Sequence, residues 1–132
     1  MTTPDQSPLA IDRTNTVLYC AHWSETVTFY RSVLGLTVAF ENDWFVEFQL
    51  TSSSFLSIAD SSRATVAAVQ GQGVTLTWHV PDLDGTRALL QAHGVDVTEI
   101  RRRWGAEVFY CHDPEGHRIE LWTDPDPKVI GP

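Results

Sequence analysis

Two spacings of apolar residues alternate along this chain. Thr16 to Ala21 (TVLYCA) is dense in β-branched and aromatic residues and predicts a strand. Val27, Tyr30, Val33 and Leu34 then recur at helical spacing, with Ser24 placed to cap the helix and Glu25 in its first turn. Gly35 is expected to close that helix. Strands are expected over Leu36 to Glu41, Trp44 to Leu50 and Phe55 to Ala59. Asn42-Asp43 and the polar run Thr51 to Ser54 supply the turns between them.

After a connector rich in small and polar residues, the same order begins again. Val74 to Val80 reads as a strand, and Pro81 to His93 as a helix with Leu83, Thr86, Leu89 and Leu90 on one side. Val95 to Ile100, Glu107 to Cys111 and Arg118 to Trp122 read as three more strands. Arg101 to Arg103 falls in a solvated turn, and Asp113-Pro114-Glu115-Gly116 makes a tight one. Asn15 matches Thr75, Trp44 matches Trp104 and Glu47 matches Glu107, each sixty positions on. Beyond the DPEG turn the shift becomes 63, so that Leu56 matches Ile119 and Ser57 matches Glu120. Both halves therefore read βαβββ. The expected architecture is α+β: a single domain, 1–132, of two such modules in tandem, about 14–60 and 74–123. They form a curved mixed sheet with a cleft and carry their helices on the outside. The connector is 61–73 and the tail 124–132. The tail's prolines exclude it from a central strand.

Composition narrows the function classes. Seventeen acidic residues against nine basic give a net charge of −8, which disfavours nucleic acid as a partner. Arg101 to Arg103 is the one basic cluster, and it is too short to form a phosphate-binding stripe. No apolar run approaches the roughly 20 residues that span a bilayer, and the first fourteen residues lack the pattern of a secretion signal. Cys20 and Cys111 make neither a disulfide framework nor a zinc knuckle, and read as buried thiols of a cytoplasmic protein. Five tryptophans, Trp23, Trp44, Trp78, Trp104 and Trp122, exceed what a core of this size usually needs. Trp78 alternates with Leu76 and Val80 and is expected to face the helices, whereas Trp122 shares the parity of Glu120. His93, His112 and His117 sit at turns or a helix end, where a surface position is the expectation.

Two stretches, SETVTFYRSVLGL and WGAEVFYCHDPEGHRIELW, give the chain a family resemblance, with DPEGHRIEL the most specific part. Residues 14–123 resemble the vicinal oxygen chelate superfamily of glyoxalases, extradiol dioxygenases and bleomycin resistance proteins. The run ENDWFVEFQLTSSSFLSIAD looks most like the bleomycin-resistance branch. The resemblance implies a homodimer with each cleft built from both chains. It also implies four metal-ligand positions, which here hold Asn15, Ser57, Thr75 and Glu120. Only glutamate is a good ligand for a transition metal, so no metal or other cofactor is expected. If one is held, Glu120 with His79 is the expected pair, and His22 is the next nearest histidine.

A metal-free member of such a family has another use for a cleft. The resemblance implies sequestration of an antibiotic or other aromatic natural product, and the −8 charge favours a cationic one. Trp44, Trp104, Trp122 and Tyr110 would supply flat walls, while Asn15, Ser57, Thr75, His79 and Glu120 would line the floor. The rival reading is an enzyme of the same superfamily, an isomerase, lyase or dioxygenase. It would use a metal, or a carboxylate such as Glu47 or Glu107 as general base. A module with a vestigial cleft is the third. The chain has no nucleophile elbow and no phosphate-binding glycine loop.

Overall fold

The structure is a computed structural model that describes residues 7–125. Alternating apolar positions build strand β1 (Thr14–Cys20), whose Leu18 and Cys20 turn inward while Val17 and Tyr19 face the other way. Helix α1 (Trp23–Thr28) follows and continues as a π-helical turn over Phe29–Val33. Strands β2 (Thr37–Glu41), β3 (Phe45–Thr51) and β4 (Ser54–Asp60) complete the first sheet, ordered β1-β4-β3-β2. β1 runs parallel to β4, and the other neighbours are antiparallel. The second half repeats this with β5 (Thr75–His79), α2 (Leu83–Ala92), β6 (Arg101–Arg103), β7 (Ala106–His112) and β8 (Arg118–Thr123). Its sheet is ordered β5-β8-β7-β6, again with a parallel pair in the first position. The tail beyond residue 125 lies outside the described residues.

One continuous core joins the halves. Leu18, Phe48, Leu56 and Ile58 from the first sheet share it with Phe109, Ile119 and Leu121 from the second, and Tyr30 is fully buried among them. Each sheet therefore buries one face and leaves the other open. Trp78 packs against this core, as its alternation with Leu76 predicts.

Four expectations need correction. Ser24 does not cap α1. The helix starts two residues earlier, His22 occupies the cap without a side-chain hydrogen bond, and the Thr26 hydroxyl donates to the His22 carbonyl at 2.6 Å. Residues 95–100 form no strand. There the Thr98 hydroxyl accepts the Tyr110 N–H at 2.9 Å, and Arg87 takes the Thr98 carbonyl at 2.7 Å. Arg101–Arg103 is strand β6 rather than a turn, an exposed sheet edge whose positive charges discourage pairing with further strands.

The fourth correction concerns the register of the repeat. Glu47 pairs with Ser57, and Tyr110 pairs with Glu120. Since Ser57 corresponds to Glu120, the counterpart of Glu47 is Tyr110, not Glu107, and Trp44 has no counterpart in Trp104. The three extra residues lie between α2 and β7, not in the DPEG turn. Glu107 consequently points to the face shared with Phe109 and Cys111, opposite to that of Tyr110, so Glu47 and Glu107 do not form an acid–base pair.

Candidate functional site

On the open face of the first sheet, register brings Asn15, Val17, Tyr19, Phe45, Glu47, Ser57 and Ala59 side by side. Three of these form a hydrogen-bonded chain. Ser57, fully buried, donates its hydroxyl to Asn15 Oδ1 at 2.8 Å, and Asn15 Nδ2 donates to Glu47 Oε2 at 3.0 Å. Beside them lies a hollow of about 250 Å³ walled by Val17, Tyr19, Trp44 and Phe45. Trp44 stands at its edge because Asn42 Oδ1 accepts the Trp44 N–H at 3.0 Å, a local turn that fixes the entry into β3. Its ring meets Phe45 edge-on at 5.5 Å.

On the open face of the second sheet, Thr75, Thr77 and His79 of β5 lie beside Arg118, Glu120 and Trp122 of β8. Thr77 donates its hydroxyl to Glu120 Oε1 at 2.6 Å, while Arg118 Nε donates to the Thr75 hydroxyl at 3.0 Å. The Arg118 guanidinium sits 4.8 Å from the centre of the Tyr110 ring, a cation–π contact. His79 Nε2 meets Asp124 Oδ2 at 3.0 Å, and its ring lies edge-on to Trp122 with centroids 4.6 Å apart.

The residues predicted for one cleft thus divide in two within a single chain. Asn15, Trp44 and Ser57 belong to the first face. Thr75, His79, Tyr110, Glu120 and Trp122 belong to the second. Among the described residues no hydrogen bond or ring contact links the two sets. Trp104 belongs to neither. It is 96% exposed at the tip of the β6–β7 hairpin, with φ of +56°.

The positions that would carry a metal do not suit one. Asn15, Ser57 and Thr75 offer neutral oxygens already engaged with one another or with Arg118. Among the described residues no three His, Cys, Asp or Glu side chains come together as a metal site. Glu120 and His79 each have another partner, Thr77 and Asp124.

Sequence reasoning missed the part played by Asp124 altogether, because nothing in a proline-bearing tail signals that its carboxylate folds back onto β5. It also placed His117 on the surface. His117 is 4% exposed, and its Nδ1 lies 2.8 Å from Asp113 Oδ2. The other oxygen of Asp113 accepts the backbone N–H groups of Glu115, Gly116 and His117. Burial pushes the Asp113 carboxyl up, but the hydrogen bonds from His117 and Tyr30 outweigh it and hold it below its usual value. Burial and the nearby Glu115 push the Cys20 thiol up to about 12, and burial with Asp113 raises Cys111 to about 11. Both thiols are therefore inert. The DPEG run is structural.

Comparison with known proteins agrees with this architecture. No curated protein matches the chain. Among solved structures, a lactoylglutathione lyase from Agrobacterium tumefaciens shares 24% identity over 89% of this chain and 96% of its own, with a TM-score of 0.72. A glyoxalase/bleomycin resistance protein/dioxygenase from Nocardioides shares 21% over 91% and 86%, with a TM-score of 0.75. An antibiotic binding protein from Streptomyces sp. CB03234 shares 18% over 89% and 99%, with a TM-score of 0.74. At these identities the likeness is one of fold. The family model matches residues 10–121, and the chain belongs to the Glyoxalase/Bleomycin resistance protein/Dioxygenase superfamily.

Proposed function

We propose that this chain binds a small aromatic natural product, an antibiotic in the leading case, and sequesters it without a metal. The observation that carries this reading is the donor set. Where the superfamily resemblance implies metal ligands, Ser57, Asn15 and Glu47 satisfy one another, and Thr75 is taken by Arg118. Such a face recognises a ligand by hydrogen bonds and ring contacts rather than by coordination. Trp44, Tyr19 and Phe45 on one sheet, and Trp122 and Tyr110 on the other, offer flat walls. Each ring contact is worth roughly 0.5–1.5 kcal/mol beyond area burial. The fold is shared with an antibiotic binding protein. Glu47, Glu120 and the −8 charge favour a cationic ligand.

A homodimer belongs to the proposal. Facing the first sheet of one chain with the second sheet of another would unite the two half-sites, and Trp104 would then reach ligand only across that interface. The free, buried cysteines suit a reducing compartment.

Metal analysis by mass spectrometry, on untagged protein purified without chelator, tests the first half. Metal well below one equivalent per chain is expected, and near one equivalent of zinc, iron, nickel or manganese overturns the reading. Tryptophan quenching with planar aromatic antibiotics tests the second. Saturable quenching in the micromolar range, lost on Trp44→Ala or Trp122→Ala, is expected. No saturable binding across a broad aromatic set would leave the cleft without a ligand and sink the proposal.

A further inference from the structure

We infer that His79 is a proton acceptor, so that the second sheet's open face takes a ligand with an acidic hydroxyl, a phenol or enol, attached to a flat ring. This rests on that face being a ligand surface and names the chemistry it selects. His79 Nε2 lies 3.0 Å from Asp124 Oδ2. A carboxylate accepts only, so Nε2 is the protonated nitrogen and Nδ1 carries the free lone pair. Among the described residues Nδ1 has no hydrogen-bond partner. Asp124 is therefore a positioning residue. It fixes the tautomer and balances the charge that appears when the ring takes a second proton.

The surroundings fit that role. The Trp122 ring, 4.6 Å from the imidazole at 78°, gives a flat apolar surface beside it. Glu120 is held by Thr77 two pairs further along β5 and β8, on the same face. Arg118 and Tyr110 occupy each other through their cation–π contact. Asp82 and Asp84, at the start of α2, share a hollow with Asp124. The charged groups of this region are the carboxylates of Asp124, Glu120, Asp82, Asp84 and Glu107 and the Arg118 guanidinium. In the step itself the ligand's O–H bond breaks and an Nδ1–H bond forms. The oxygen keeps the electron pair as phenolate or enolate, and Nε2 keeps its own proton, hydrogen-bonded to Asp124. No oxidant or co-reactant is required.

The probe is 4-nitrophenol, whose anion alone absorbs in the visible, with 4-nitroanisole as the matched ring that has no proton to give. Binding of each is measured by equilibrium dialysis on the full chain, at a pH just below the ionisation of free 4-nitrophenol. The expected result is that both probes bind and that the phenolate band grows as 4-nitrophenol is taken up. His79→Gln abolishes this growth, leaving only the band of the free probe, while 4-nitroanisole still binds, which shows the face intact. Asp124→Asn cuts the bound phenolate-to-phenol ratio about threefold, the scale of a solvent-exposed ion pair. Binding of both probes without growth of the phenolate band overturns the proton acceptor but leaves the binding reading standing. Growth that survives His79→Gln also overturns it, with Glu120 then the base. Failure of both probes to bind takes down the ligand surface, and the inference with it.

Discussion

The Tyr30 hydroxyl donates to Asp113 Oδ2 across 2.7 Å, joining the π-helical turn of the first half to the turn before the last strand of the second. Both side chains are buried, and the same carboxylate holds His117 and three backbone N–H groups. A buried hydrogen bond to a charged group contributes about 1.5–3 kcal/mol. Tyr30→Phe is expected to lower stability by about 1.5 kcal/mol and Asp113→Asn by about 3 kcal/mol. Thermal unfolding checks both. The double variant should fall short of the sum, because the two changes break one shared bond. Full additivity would show that the residues act independently.

Acid should act through the same carboxyl. Its folded value lies below the ordinary 3.8, so the fold favours the anion. Its contribution is then fully present above about pH 4 and is lost as pH falls through the depressed folded value. Denaturant midpoints measured from pH 6 downward should hold steady to the ordinary carboxyl range and drop below it. The drop should be smaller in Asp113→Asn. An equal drop in the variant would place the acid sensitivity in other carboxylates.

Glu115 provides a second tie between the halves. Its two oxygens accept the N–H groups of Ala21 and His22 at 3.0 and 2.7 Å, so a side chain 93 residues away covers the N-terminus of α1. The negative charge also suits the positive end of the helix. Glu115→Gln keeps one acceptor but turns an amide N–H₂ toward one of the two donors. The expected cost is about 2 kcal/mol. Amide hydrogen exchange should speed up at Ala21 and His22 before it does in β7.

The strands other than β6 follow from the alternation of residues such as Leu18, Val46 and Ile119, since period-2 burial leaves little choice of face. Asn15 and Ser57 were legible together only through the family resemblance, which implies metal-ligand positions there; the parallel pairing of β1 with β4 puts them on one face. Glu47 was not legible as their third member. Its match to Glu107 assumed that the three extra residues lay in the DPEG turn, whereas the paired residues Glu47 and Ser57, and Tyr110 and Glu120, are each ten positions apart. The roles of Asp113, Glu115 and His117 escaped for a different reason. A turn sequence predicts exposure, and only the packing of one half on the other turns these side chains into a buried network. The separation of the two half-sites is likewise a property of packing that no strand pattern carries.

Gly71 marks where the connector crosses the DPEG turn. A Cβ there would lie 2.3 Å from the Gly116 carbonyl carbon and 2.3 Å from the His117 nitrogen, both backbone atoms, and φ is +75°. Gly73, at φ +80°, has open space around it. Gly73→Ala should cost about 1–2 kcal/mol from backbone strain alone. Gly71→Ala carries that strain and a clash with backbone that has no flexible side chain to move. It should therefore unfold at a clearly lower temperature than Gly73→Ala. Equal melting temperatures would mean that the connector does not press on the turn as described.

Trp104 and Gly105 have φ of +56° and +76°, the two left-handed residues of a two-residue hairpin turn between Arg103 and Ala106. Gly105 suits its place, but a tryptophan in that conformation costs about 1–2 kcal/mol. Its ring recovers little within the chain, being 96% exposed. Asparagine tolerates the left-handed region and is favoured at the first position of such a turn. Trp104→Asn is therefore expected to raise stability by about 1 kcal/mol, which thermal unfolding reads as a gain of about 3 °C. The same substitution should weaken binding of a planar aromatic antibiotic by about 1 kcal/mol, or roughly fivefold, if the ring meets ligand across a dimer interface. Gain of stability together with loss of affinity would identify Trp104 as strain kept for a contact outside its own chain. Gain of stability with unchanged affinity would remove Trp104 from the binding surface and leave Trp44 and Trp122 as its aromatic walls.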